Sequence, residues 1–168
     1  MDYGLRLLSG RAHSLGEIRE KLRRRCARAE DVDSVLTKLK EAGYLNDRQF
    51  AEGLAVSRLE NQGLGKMRVL RDLRQHRVAP KLAQQVVDKT FENTDEVRLI
   101  EDFLARKYRG KSLPSFLSVE KNLASAFRRL RYAGFSSGAS IRVLKKYARE
   151  ANALDTLEQD DPVADDVS

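Results

Sequence analysis

The sequence predicts an all-α fold: three tandem three-helix repeats followed by a disordered acidic C-terminal tail. Three observations carry this. Apolar residues recur at i, i+3, i+4 and i+7 along most of the chain, and alternating strand patterns are nearly missing. The pair Ile18 and Leu22 returns as Val69 and Leu73, then as Leu123 and Phe127, at offsets of 51 and 54 residues. Helix starts and stops recur in the same order between these pairs. Repeats of this length point to a stacked array, each unit covering its neighbour's apolar face.

The elements follow in order. Asp2 to Ser9 gives a short first helix. Ser14 opens a second, where SLGE forms a capping box: the Ser14 hydroxyl and the Glu17 carboxylate each satisfy an exposed amide. Leu15, Ile18, Leu22 and Cys26 line its apolar stripe. A third helix from Ala29 places Val32, Val35, Leu36 and Leu39 on one face and stops at Gly43, a C′ glycine. The segment GYLNDRQF, residues 43–50, then reads as the seam between two repeats. Gly43 ends the first, Tyr44 and Leu45 are expected to pack across the joint, and Asn46 or Asp47 caps the next helix.

That helix carries Phe50, Leu54 and Leu59 and ends near Gly63. Gly65 precedes a helix with Val69, Leu70 and Leu73. Pro80 suits the first turn of the next, which carries Leu82, Val86, Val87 and Phe91. NTDE, residues 93–96, starts a third unit with Val97, Ile100, Phe103 and Leu104. A loop around Pro114 follows, then Leu123, Phe127 and Leu130, a turn at AGFSS, and Ile141, Leu144 and Tyr147. The boundaries expected are residues 1–45, 46–92 and 93–150 for the repeats and 151–168 for the tail.

Net charge is +7 over 168 residues, but it is uneven. Residues 151–168 hold six acids and no base, leaving +13 on the rest. Such a body attracts polyanions or an acidic protein surface. The tail, with Pro162 and few large apolar groups, has the composition of a disordered segment. It reads either as a solubilising end or as an intramolecular competitor for the basic body.

The basic residues are in register. Arginine follows the second apolar position of the repeated pair in all three copies: Arg23, Arg74 and Arg128. Arg24 and Arg129 extend this away from the core. Arg19, Lys66, Arg68 and Arg71 add charge on outward faces, and Lys145, Lys146 and Arg149 do so on the last helix. If the units stack in phase, these residues form a band suited to a long anionic partner. A single charged helix face is usually only solvated; three arginines in register on a +13 body favour binding.

Catalytic readings are weak. His13 and His76 have neither a cysteine partner nor an HExxH spacing, so no metal site is expected. ARKYRGKS, residues 105–112, resembles the end of a phosphate loop but begins with Ala105 and follows a helix rather than a strand. The one cysteine, Cys26, suits a reducing compartment. The start of the sequence does not read as a secretory signal, and no apolar run reaches the roughly 18 residues of a membrane span. A cytoplasmic monomer is expected.

The stretches SLGEIREKLRRR, VLTKLKEAGYLNDRQFAEGLAVSRLENQGLGKMRVLRDLRQHRV and KNLASAFRRLRYAGFSSGASIRVL resemble the RecX family of bacterial recombination regulators. The combination of GYLND, FA, SR and GLG before a basic helix is specific. The resemblance covers about residues 4–148, with a longer loop at Pro114 than expected. It implies an elongated, curved array of three-helix repeats, no chemistry of its own and no cofactor. It also implies binding to the RecA recombinase filament on single-stranded DNA, with inhibition of ATP hydrolysis and strand exchange. Direct binding to single-stranded DNA, and to double-stranded DNA as a further candidate, belongs to the same implication. On the residues alone, a DNA-binding helical module or an adaptor for another acidic protein stays open.

Overall fold

A computed structural model describes residues 1–26 and 28–147. The described residues are all-helical. Ten α-helices run in order: α1 Asp2–Gly10, α2 Leu15–Arg23, α3 Ala29–Glu41, α4 Asp47–Val56, α5 Lys66–Gln75, α6 Pro80–Phe91, α7 Glu96–Lys107, α8 Leu113–Leu117, α9 Glu120–Tyr132 and α10 Ser137–Leu144. A π-helical turn, Ser57–Asn61, continues α4. The expectation of a disordered tail at 151–168 lies outside the described residues.

The helix starts are set as the sequence indicates. Ser14 accepts from the Glu17 amide while the Glu17 carboxylate accepts from the Ser14 amide, completing the capping box. Asn46 caps α4 by accepting from Gln49, and Asp95 caps α7 by accepting from Val97 and Arg98. Pro80 occupies the first turn of α6. Gly43 ends α3 with φ +76°, a conformation that costs a side-chain-bearing residue more than glycine.

Two compact units form, and they do not follow chain order. The first comprises Met1–Ser57 and Leu70–Glu92; the second comprises Arg58–Val69 and Asn93–Ser168, described to Tyr147. In the first, α1, α2 and α3 enclose Ile18, Leu22, Val32, Leu36, Leu39 and Leu45. In the same unit α4 packs on α6. In the second, α7 to α10 enclose Ile100, Leu104, Leu117, Leu123, Phe127, Leu130, Phe135 and Leu144.

Three expectations need correction. Tyr44 is not buried at the seam: it is 57% exposed and borders an open pocket with Leu8, His13 and Phe50, whereas Leu45 is buried. The Tyr44 amide closes the helix-end turn on the Leu39 carbonyl, and Leu45 is the one of the two that faces the core. In α4 the buried positions are Ala51 and Ala55; Phe50, Leu54 and Leu59 are half-buried. Small side chains let α6 approach α4, and alanine is invisible to a reading that follows large apolar groups. The stretch at Pro114 is a short helix, α8, with Pro114 in its first turn and Leu117 fully buried.

The repeat register also shifts in the last unit. From the starts of α5 and α9 the offset is 54 residues; from their ends it is 57. The ends match in detail. Val78 donates to the Leu73 carbonyl and Phe135 to the Leu130 carbonyl, each just past a residue in the left-handed region, Arg77 and Gly134. Helix α9 carries three extra residues, close to one turn.

Leu45→Ala should lower stability by about 2–5 kcal/mol, whereas Tyr44→Ala should stay within about 0.5 kcal/mol of the parent. Chemical denaturation of both variants checks this. Equal losses would mean that Tyr44 shares the core.

Candidate binding site for an anionic partner

Two helix-end joints position the side chains of interest. In the first unit, the start of α2 meets the end of α5. Gly16 lies against the backbone of Arg77: a Cβ at Gly16 would stand 2.4 Å from the Arg77 carbonyl oxygen. The Ser14 hydroxyl donates to the His76 carbonyl. The Leu15 amide, left unpaired by the helix start, donates to the Asp47 carboxylate at 2.6 Å. Asp47 is therefore a seam residue through a hydrogen bond to α2. Phe50 meets the His76 ring edge-on, with centroids 5.5 Å apart.

Glu17 is the electrostatic centre of this joint. His13 Nδ1 and His76 Nδ1 each lie 3.0 Å from one of its oxygens, and Arg11 lies 3.2 Å away. An ionised carboxylate only accepts, so both rings donate from Nδ1. Burial alone would raise the Glu17 carboxyl. The bonds from His76, His13 and the Ser14 amide, with the Arg11 charge, outweigh it and hold the pKa at about 2. Among the described residues no cluster of His, Cys, Asp or Glu could hold a metal ion. Through these two bonds the histidines orient the Glu17 carboxylate.

In the second unit, the start of α5 meets the end of α9 through backbone hydrogen bonds. The Gly65 amide donates to the Ala133 carbonyl at 2.9 Å and the Met67 amide to the Gly134 carbonyl at 3.0 Å. A Cβ at Gly65 would stand 2.4 Å from the Gly134 carbonyl oxygen, and one at Gly134 2.1 Å from the Arg68 amide nitrogen. This joint fixes Arg68 beside α9, where its guanidinium stands 5.1 Å from the centre of the Tyr132 ring.

Beside it opens a cavity of about 530 Å³. Leu64, Phe103 and Ala133 give it an apolar lining, Ser125 and Tyr132 contribute to its wall, and four cations line it: Arg68, Lys107, Arg128 and Arg129. Tyr132 is 65% exposed. The concentration of cations at an apolar surface is the arrangement that holds an anionic, partly apolar group.

The other basic residues singled out in the sequence are distributed as follows. Arg23 and Arg74 are exposed, as are Lys66 and Lys145. Arg19 is half-buried and pairs with Asp33 at 3.3 Å; Arg24 pairs with Glu20 at 3.4 Å. Arg71 is half-buried. Lys146 pairs with Glu101, whose bond and charge raise its pKa. Exposed ion pairs are weak because water and salt screen them, so these partners are readily exchanged for a stronger anion. Arg131, which occupies the place of Arg74 when the helix ends are aligned, donates to the Phe135 carbonyl. Arg128, one turn earlier, keeps to the exposed face.

Sequence reasoning missed Lys107 and Tyr132. Lys107 sits in a segment weighed only as a phosphate loop, and Tyr132 was not counted with the apolar residues of its helix. The exposed aromatic in a basic helix, FRRLRY, was the available signal.

A family model described as the first three-helix domain of RecX matches residues 1–39, and one described as the second matches residues 46–87. Regulatory protein RecX of Amycolatopsis mediterranei is 33% identical over 163 residues, covering 95% of this chain and 88% of that protein. The chain belongs to the RecX family of regulatory proteins. Regulatory protein RecX of Streptomyces coelicolor is 30% identical over 146 residues, covering 87% of this chain and 76% of its own. The crystal structure of RecX from Lactobacillus salivarius matches with a TM-score of 0.63 at 19% identity, over 87% of this chain and 92% of that one. That likeness speaks to the fold, and it extends past both matched domains into the last helices. Among the described residues no helix is long and apolar enough to cross a membrane.

Glu17→Gln should cost about 1–2 kcal/mol at neutral pH, the loss of charge-assisted bonds in a capping box. The folded pKa is depressed, so the ionised group stabilises the fold above its ordinary value of 4.5, and this contribution is lost as pH falls towards about 2. The stability difference between parent and variant should therefore shrink over that interval. Denaturant titrations at neutral and acidic pH check it; a difference independent of pH would remove Glu17 from its role.

Proposed function

We propose that this protein binds the RecA recombinase filament on single-stranded DNA and inhibits its ATP hydrolysis and strand exchange. The observation that carries this is membership of the RecX regulatory family over nearly the whole chain. The charge distribution supports it. A +13 body with exposed Arg23, Arg74 and Arg128 meets a partner whose groove and DNA repeat the same anionic features. Several modest contacts along a repeating partner add through effective concentration. The protein acts by binding, with the three arginines, their basic neighbours and the cavity of Arg68, Lys107 and Arg129 as the contact residues. The three-helix repeats serve as successive modules of that surface.

A second reading has its own support. The same cations would bind DNA without a recombinase, with affinity falling steeply as salt rises.

Titration of the protein against DNA-dependent ATP hydrolysis by RecA, with free single-stranded DNA in excess, separates the two. The proposal expects inhibition that excess DNA does not relieve. The variant Arg23→Glu, Arg74→Glu, Arg128→Glu should need at least about tenfold more protein, corresponding to about 1.4 kcal/mol of lost binding. Inhibition relieved by DNA would favour the DNA-binding module. A folded triple variant that inhibits like the parent would remove these arginines from the interface.

A further inference from the structure

The cavity of the second unit has an unusual combination of features for a nucleic-acid contact. Its lining is apolar, with Leu64, Phe103 and Ala133, yet four cations share it. A phosphate chain would satisfy the cations and leave the lining bare. A peptide that alternates carboxylates with aliphatic side chains would satisfy both.

This chain carries such a segment. Residues 153–166, ALDTLEQDDPVADD, place Leu154 and Leu157 among Asp155, Glu158, Asp160 and Asp161, with no base. The described chain ends at Tyr147, which packs against the same core that underlies the cavity. Leu157 lies ten residues beyond it, a reach of up to roughly 33 Å when extended. A unit of this size is about 30 Å across, so a segment of that reach covers roughly a third of its circumference to either side of Tyr147, and Tyr147 shares its core with Leu64 and Phe103 of the cavity lining.

We infer that the cavity of Arg68, Lys107, Arg128 and Arg129 is a docking site for the chain's own acidic segment around Leu154–Asp161. The leucines cover Leu64 and Phe103, and the carboxylates meet the cations and the edge of Tyr132. The docked segment then covers Arg128 and Arg129 against other anions. That regulatory consequence rests on the proposed function; the docking itself does not, and its test needs neither recombinase nor DNA.

Carbodiimide joins a carboxylate to an amine only when the two are in contact, and Lys107 is the one lysine lining the cavity. The full-length chain is treated at low concentration and its adducts are mapped by mass spectrometry. Adducts from Lys107 to Asp155, Glu158, Asp160 or Asp161 should exceed those from Lys121, an exposed lysine of the same unit. Two full-length variants that keep Lys107 complete the test: Arg128→Glu with Arg129→Glu, and Leu154→Ser with Leu157→Ser. Each should reduce the Lys107 adducts about tenfold, since reversing two nearby charges opposes the carboxylates directly and polar serines remove the apolar seat.

Equal adducts at Lys107 and Lys121 would overturn the inference, as would leucine substitutions without effect, because both mean diffuse attraction rather than a seat. Adducts that join two chains would assign the cavity to a second copy. Ultraviolet cross-linking of an oligodeoxynucleotide to Tyr132, in a chain whose Lys107 forms no tail adduct, would assign it to nucleic acid.

Discussion

The structure depends on helix ends meeting helix ends at van der Waals distance. A helix start presents unpaired amides and a helix end unpaired carbonyls, each with partial charge of opposite sign. Here the start of α2 is brought to the end of α5, and the start of α5 to the end of α9. The second joint pairs the Gly65 and Met67 amides with the Ala133 and Gly134 carbonyls. Such an approach tolerates no side chain at the contact. Gly16, Gly65 and Gly134 supply that room. The first joint reaches the same end by different chemistry. Arg77 holds the left-handed turn that glycine holds at 134, and Ser14, Glu17, Asp47 and His76 provide the hydrogen bonds.

These joints decide where the positive charge goes. Arg68 follows Gly65 within one turn, so the backbone contact at Gly134 sets it beside Tyr132 and near Arg128 and Arg129. Arg23 and Arg74 lie next to the buried Leu22 and Leu73, whose packing turns their neighbours outward. Cations on helices anchored at both ends lose less freedom on binding than cations on loops.

Much of this was legible in the residues. The capping box at Ser14, a helix start within NTDE, Pro80 in a first turn and Gly43 at a helix end are local signals with local causes, and each forms as read. Most large apolar positions of α2, α3, α5 and α9 are buried for the same reason, while Leu15 and Val35 are half-buried. What was hidden depends on partners distant in sequence. Asp47 reads as a helix cap, yet its carboxylate serves the Leu15 amide of another helix. Gly16 and Gly65 read as ordinary glycines until the neighbouring backbone is present. Ala51 and Ala55 carry a helix contact through smallness, which hydrophobic periodicity undervalues. Tyr44 was misread because an apolar ring beside a buried leucine looks like core, although more than half of it is exposed. The cavity needed Lys107 from α7 and Tyr132 from α9, which no single stretch displays.

The close approach of helix ends is tested most directly by thermal unfolding of Gly65→Ala beside Gly53→Ala. An added Cβ at Gly53 meets nothing within 4 Å, whereas at Gly65 it meets the Gly134 backbone at 2.4 Å. Within α4, Gly53→Ala should stabilise by roughly 0.5–1 kcal/mol through helix propensity. Gly65→Ala should destabilise by at least about 2 kcal/mol, lowering Tm by about 4–8 °C. A Gly65→Ala chain that melts with or above the parent would contradict the account.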